Sequence, residues 1–186
     1  MRNRKVAVAG IAGLCLAVGA SGIPAAGSSA AVRRQITIRE KASLRMVPNR
    51  YIQNGLRWNK DVYRVKSGGT ITLVNNVSDQ GAHTLSVVRK KDLPRNARQM
   101  NHCAACARLA RAHGAVPNSN APPKFQFVEN GVGQATAPNL DRPGDSGVTG
   151  SRTNDKISFK VTAKKGKRLY FLCLIHPWMQ ARIQVQ

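Results

Sequence analysis

Short runs in which every second residue is apolar constrain this chain more than any other feature. Ile36 and Ile38 flank Thr37, and Tyr63 and Val65 flank Arg64 ahead of a Gly68-Gly69 turn. Further runs follow at Thr70-Ile-Thr-Leu-Val-Asn75, at His83-Thr-Leu-Ser-Val-Val88, and at Ile157, Phe159 and Val161. Two more, Leu169 to Cys173 and Ala181 to Val185, close the chain. A period of two puts alternate side chains on one face of a strand, whereas a helix would repeat every 3.6 residues. Short strands separated by turn residues predict an all-β domain, a sandwich or barrel closed by antiparallel pairing. At 186 residues the chain is long enough for one such domain with its own core.

Two stretches depart from the alternation. The N-terminus reads Met1-Arg-Asn-Arg-Lys, then an apolar run from Val6 to about Ala20, then small residues to Ala30. This is the layout of a secretory signal peptide over residues 1–30, leaving a mature domain from 31 to 186. Between about residues 89 and 154 lies a long insert. Its first part, roughly Asn101 to His113, has helical spacing and ends at Gly114, a C-terminal cap. Its remainder, rich in Pro, Gly and Asn, reads as loop.

Charge narrows the partners. Removing Arg2, Arg4 and Lys5 with the signal segment takes the formal charge from +22 to +19, so the exported domain attracts anionic surfaces. An anionic cell envelope or an acidic protein fits an exported chain. Nucleic acid does not, because the basic residues lack the interleaved aromatics of a stacking platform. Among only eight acidic residues no paired-carboxylate or Ser-His-Asp arrangement stands out, so no enzyme is expected.

The chemistry concentrates near the C-terminus. Leu172-Cys-Leu-Ile-His-Pro-Trp-Met179 carries a cysteine, a histidine and a methionine within one strand end and the loop after it, and His83 opens an earlier strand. Alternation turns both Cys173 and His83 inward. After signal cleavage three cysteines remain, and Cys103 and Cys106 are natural partners for each other. Cys173 is then a lone thiol in an oxidising compartment, a hazard unless a metal holds it. A thiolate, two imidazoles and a thioether form the donor set of a trigonal blue-copper centre. Structural zinc would ask for more sulfur, and a binuclear copper centre for a second cysteine in the loop.

The blocks GGTITLVNNVSDQGAHTLSVV and LYFLCLIHPWMQARIQV resemble the cupredoxin family, relatives of plastocyanin and azurin. The two-residue gaps on each side of His176 are similar to those of amicyanin. The resemblance implies a cupredoxin-like Greek-key β-sandwich, with a short helix and a long loop inserted, and one type 1 copper. Cys173 would be the thiolate ligand, His83 the buried imidazole, His176 the imidazole nearer the surface and Met179 the long axial ligand. Asn76, or its neighbour Asn75, would tie the two ligand loops together, and Pro177 and Trp178 would form an apolar patch beside His176. The function implied is one-electron transfer between redox partner proteins, acidic ones given the charge, by a monomer. The alternative is copper sequestration or delivery at the envelope.

Cys103-Ala-Ala-Cys106 departs from that pattern. It admits a local disulfide, a second metal site using His102 or His113, or a redox-active dithiol. Covalent haem attachment is disfavoured because Ala107 stands where the motif needs histidine.

Overall fold

A computed structural model describes residues 32–76, 81–116, 119 and 121–186. The signal-peptide reading falls outside these residues. In chain order the strands are β1 (Gln35–Lys41), β2 (Leu44–Val47), β3 (Tyr51–Asn54), β4 (Arg57–Trp58), β5 (Val62–Val65), β6 (Thr70–Val74) and β7 (Thr84–Val88). Helices α1 (Ala97–Asn101) and α2 (Ala104–Ala112) follow. The remaining strands are β8 (Phe127–Glu129), β9 (Val132–Gln134), β10 (Asn139–Leu140), β11 (Ser146–Val148), β12 (Lys156–Val161), β13 (Arg168–Leu172) and β14 (Gln180–Val185). Each run read from the alternation is a strand.

One sheet is ordered β10-β12-β6-β1-β4 and the other β5-β14-β13-β7-β11-β8-β9. Consecutive strands such as β5 and β6, or β12 and β13, lie in different sheets, so the chain repeatedly crosses the sandwich. The turn between β5 and β6 uses Gly68 at φ +75°, a conformation that favours glycine. β2 and β3 form a separate hairpin. Ile38, Ile71, Leu73 and Phe159 from the first sheet meet Leu85, Val87, Phe171 and Ile183 from the second in one buried core. Burying each such side chain contributes about 1.5–3 kcal/mol. Cys173 and Met179 belong to the same core, so the cysteine and its loop are set in the body of the fold.

The insert differs from expectation in two ways. It carries strands β8 to β11, and β11 pairs with β7, so the supposed loop completes the second sheet. Periodicity is silent there because β11 is Ser146-Gly147-Val148. A Cβ at Gly147 would come within 2.6 Å of Phe159 and 2.8 Å of Ile157 from the facing sheet, so glycine is required by close approach. The helical part is two helices broken at His102 and Cys103. Cys103 takes an extended conformation and caps α2, its sulfur accepting the Cys106 amide, so α2 starts afresh there while α1 lies ahead of the expected span. At the other end His113 is the C-cap and Gly114 follows at φ +69°, as expected of the glycine.

Alternation along β7 and β13 gives the second sheet an outer apolar face as well. Val88, Leu172 and Val128 are covered there by Ala105, Cys106 and Leu109 of α2. Cys103 and Cys106 are joined as a disulfide, which fixes the first turn of the helix. Leu109 is 1% exposed. Leu109→Ala should therefore cost about 2–5 kcal/mol, read as a lowered denaturant midpoint in a single transition. An unchanged midpoint would show that α2 lies outside the cooperative unit.

Candidate metal centre

The side chains of His83, Cys173 and His176 converge where β7 and β13 end. The two strands pair antiparallel, Leu172 opposite Ser86, so His83 just ahead of β7 and Cys173 just beyond β13 arrive side by side. The donor atoms of the three residues all lie within 4.8 Å of one another. Cys173 Sγ is 3.9 Å from His83 Nδ1 and 3.7 Å from His176 Nδ1. Donors bound at about 2.0–2.3 Å to one ion at a trigonal angle stand about 3.7 Å apart, so these spacings suit a shared metal.

Backbone bonds hold the convergence. The Cys173 amide donates to Met179 O at 3.0 Å, and the Met179 amide donates to His176 O at 2.8 Å, which folds the ligand loop between β13 and β14. The Thr84 amide donates to Cys173 Sγ at 3.3 Å, and the Leu174 amide donates to the Thr84 hydroxyl at 2.7 Å. His83 is held by Thr149: its amide donates to Thr149 Oγ1 at 3.0 Å, and the Thr149 amide donates back to His83 O at 2.9 Å. Met179 is fully buried in the same loop.

Burial sets the electrostatics. Desolvation pushes His83 down to about 4, and desolvation aided by the neighbouring His83 pushes His176 down to about 4. Both rings are thus neutral at pH 7, as metal ligands must be. Burial pushes the Cys173 thiol up, against the amides of Thr84, His176 and Ile175 and the Thr84 hydroxyl, which all favour the thiolate. The sulfur therefore sits among donors poised for a negative charge but in a core that resists one, and a bound cation resolves the conflict. His83 Nε2 is buried with no hydrogen-bond partner among the described residues, beside the edge-on ring of Trp58 at 6.0 Å. The nitrogen that faces the Cys173 sulfur is His83 Nδ1.

Of the residues singled out in the sequence, His83, Cys173, His176 and Met179 come together at one end of the sandwich. Asn75, rather than Asn76, braces the stretch leading to His83, tying it to the segment that follows Thr149. Its buried side chain donates to Gly81 O at 2.8 Å and Gly150 O at 3.0 Å, while Asn76 lies beside Glu40 and Arg39. Residue parity explains this, since Leu73 is inward and Asn75 shares its face. A second metal site at the Cys103 pair is not formed. The sulfurs are bonded to each other, His102 is exposed, and His113 is bonded to Phe125 O and Ser146 Oγ. Trp178 is 40% exposed and packs edge-on to His176 at 5.3 Å while its Nε1 donates to Leu56 O, so it both covers the loop and faces solvent. Thr84, Thr149 and Trp58 support the centre without any signal in sequence spacing.

The two-sheet sandwich thus gathers two imidazoles and a thiol at metal-sharing spacing, the arrangement that the resemblance to cupredoxins implies. No protein-family model and no curated protein matches the sequence. Solved structures similar to it include auracyanin A, a "blue" copper protein from Chloroflexus aurantiacus, at 19% identity and TM-score 0.43, covering 82% of this chain and 98% of that one. Dithionite-reduced auracyanin from Roseiflexus castenholzii is 14% identical, with TM-score 0.43 and coverage of 83% and 98%. A purple cupredoxin from Nitrosopumilus maritimus is 13% identical, with TM-score 0.38 and coverage of 81% and 98%.

The depressed histidines predict how the metal-free protein responds to acid. Unfolded, both imidazoles titrate near 6.5; folded, near 4. Between those values the unfolded chain binds more protons, so their contribution to stability is full above about pH 6.5 and is lost as pH falls towards about 4. Urea midpoints of the metal-free protein should decline across that window, and the decline should shrink in His83→Gln. Midpoints that stay level would show that the rings are not held neutral.

Proposed function

We propose that this chain is an exported type 1 copper protein that carries single electrons between redox partners. His83, Cys173 and His176 are the three strong ligands and Met179 the axial one. The observation that carries the reading is the burial of two imidazoles and a thiol around one point, with their donor atoms already at metal-sharing distances. Copper is favoured over zinc because a soft thiolate, two imidazoles and a thioether suit it in both oxidation states. A preformed site in a packed core changes little when the metal gains or loses an electron, which suits a carrier.

His176 offers the way in and out. Unlike His83 it reaches towards the surface, where Ile175 and Trp178 are 50% and 40% exposed. They border a groove of about 470 Å³ shared with Met100, Cys103 and Ala107 of the insert. The formal charge of the chain favours an acidic partner. The Cys103–Cys106 disulfide supports an oxidising compartment and hence export.

Cupric ion added to the purified domain should give an intense visible charge-transfer band that Cys173→Ser abolishes. Met179→Gln should keep both copper and colour while lowering the reduction potential, since a harder oxygen donor favours cupric ion. A protein that binds cupric ion but stays as pale as a nitrogen-and-oxygen complex would overturn the assignment.

A further inference from the structure

Of the two histidines that the proposed centre does not use, His102 is exposed while His113 is buried at 2% exposure. His113 ends α2, and both of its ring nitrogens are engaged. Nδ1 lies 2.8 Å from Phe125 O, and Nε2 lies 2.9 Å from Ser146 Oγ. From there a row of contacts runs inward. Ser146 Oγ is 2.6 Å from Ser86 Oγ, and Ser86 donates to Thr84 Oγ1 at 3.0 Å. Thr84 is the residue whose amide reaches the Cys173 sulfur. Ser146, Ser86 and Thr84 are each 3% exposed or less. Thr84 and Ser86 alternate with the core residue Leu85, so they lie on the face of β7 that α2 covers. Apolar residues would fill this face at no desolvation cost, whereas buried hydroxyls are tolerated only because each is bonded.

The hydrogens available decide which way this row runs. A carbonyl only accepts, so Nδ1 must carry a hydrogen towards Phe125 O. In the neutral ring Nε2 then accepts from Ser146, Ser146 from Ser86, and Ser86 from Thr84, which draws the Thr84 hydroxyl away from Cys173. A second proton on Nε2 reverses every bond: His113 donates to Ser146, Ser146 to Ser86 and Ser86 to Thr84. The Thr84 hydrogen is left for the sulfur. Ser86 stands as donor to Thr84, the inner bond of the second arrangement, and Thr84 is itself tied to the sulfur by its amide and to Leu174 by its hydroxyl oxygen.

We propose that His113 is a positioning residue of the metal centre. Acting through Ser146, Ser86 and Thr84, it couples the uptake of one proton from water to the uptake of one electron at the metal. A hydroxyl donated to the sulfur stabilises the electron-rich state of a thiolate-bound ion, and an added electron lowers the charge of the centre by one. Each event therefore favours the other, with the electron coming from the redox partner and the proton resting on Nε2. Burial holds His113 below the ordinary histidine range while the Phe125 carbonyl opposes it. The charged groups on the elements around it are Arg108 and Arg111 on α2, and Lys124 and Glu129 on the segment leading into and through β8. Asp145 lies beside β11, its carboxylate accepting the amides of Asn130, Asp141 and Arg142. The electron half of the coupling rests on the copper reading; the row of bonds stands without a metal.

Redox titration of the copper-loaded protein from about pH 4.5 to about pH 8 spans the ordinary histidine range and its depressed side. The potential should fall as pH rises, by at most a tenfold change in the oxidised-to-reduced equilibrium per pH unit, about 59 mV for one electron. His113→Gln can still donate to Ser146 but cannot titrate, and should lose this slope while keeping its colour. Ser86→Ala leaves His113 in place, cuts the row and should lose it too. A wild-type slope retained in either variant would overturn the proposal. In the metal-free protein, the Thr84 and Leu174 amide resonances should follow the His113 ring titration, and should cease to do so in Ser86→Ala. Amides that ignore His113 in the wild type would overturn the row whether or not copper binds. If they follow His113 while the copper-treated protein stays colourless, the row is upheld, and the coupling to an electron falls with the copper reading.

Discussion

The antiparallel pairing of β7 with β13 is the constraint on which the rest depends. It sets the chain before His83 beside the chain after Cys173, two residues 90 positions apart in sequence. The Thr84 amide seals that junction by donating to the cysteine sulfur, and the Leu174 amide returns to the Thr84 hydroxyl. His176 and Met179 are then placed by a short loop whose amides point back on itself, so four donors need only one long-range registration.

Because the centre is part of the sandwich core, it inherits the core's dielectric. Low polarity keeps the imidazoles neutral and raises the thiol, so without metal the donors are uncharged and compatible with burial. The amides and hydroxyl around the sulfur make the thiolate acceptable once a cation is present. A single environment thus serves the metal-free fold and the ligand set alike.

The insert is joined to the centre from outside the sheet. α2 covers the outer faces of β7 and β13, its first turn is cross-linked by Cys103 and Cys106, and Leu174 of the ligand loop packs against the same group. Thr149, at the insert's far end, holds His83. The segment that reads as helix and loop in the sequence therefore braces both ligand-bearing stretches, through apolar packing on one side and backbone bonding on the other.

The sequence by itself determined the strands whose apolar residues alternate, the inward facing of His83 and Cys173, and the grouping of Cys173, His176 and Met179. All of these depend on neighbours within a few residues, where period and spacing translate directly into geometry. Only the tertiary structure decided that β11 completes a sheet, because Gly147 leaves no hydrophobic mark where the facing Phe159 comes close. It also decided that Asn75 rather than Asn76 braces the stretch leading to His83, and that α1 and α2 part at Cys103. Thr84, Ser86, Ser146 and His113 were silent for the same reason. Each is an ordinary polar residue in its own segment, and their connection exists only where three distant elements bury them together and leave one another as the available partners.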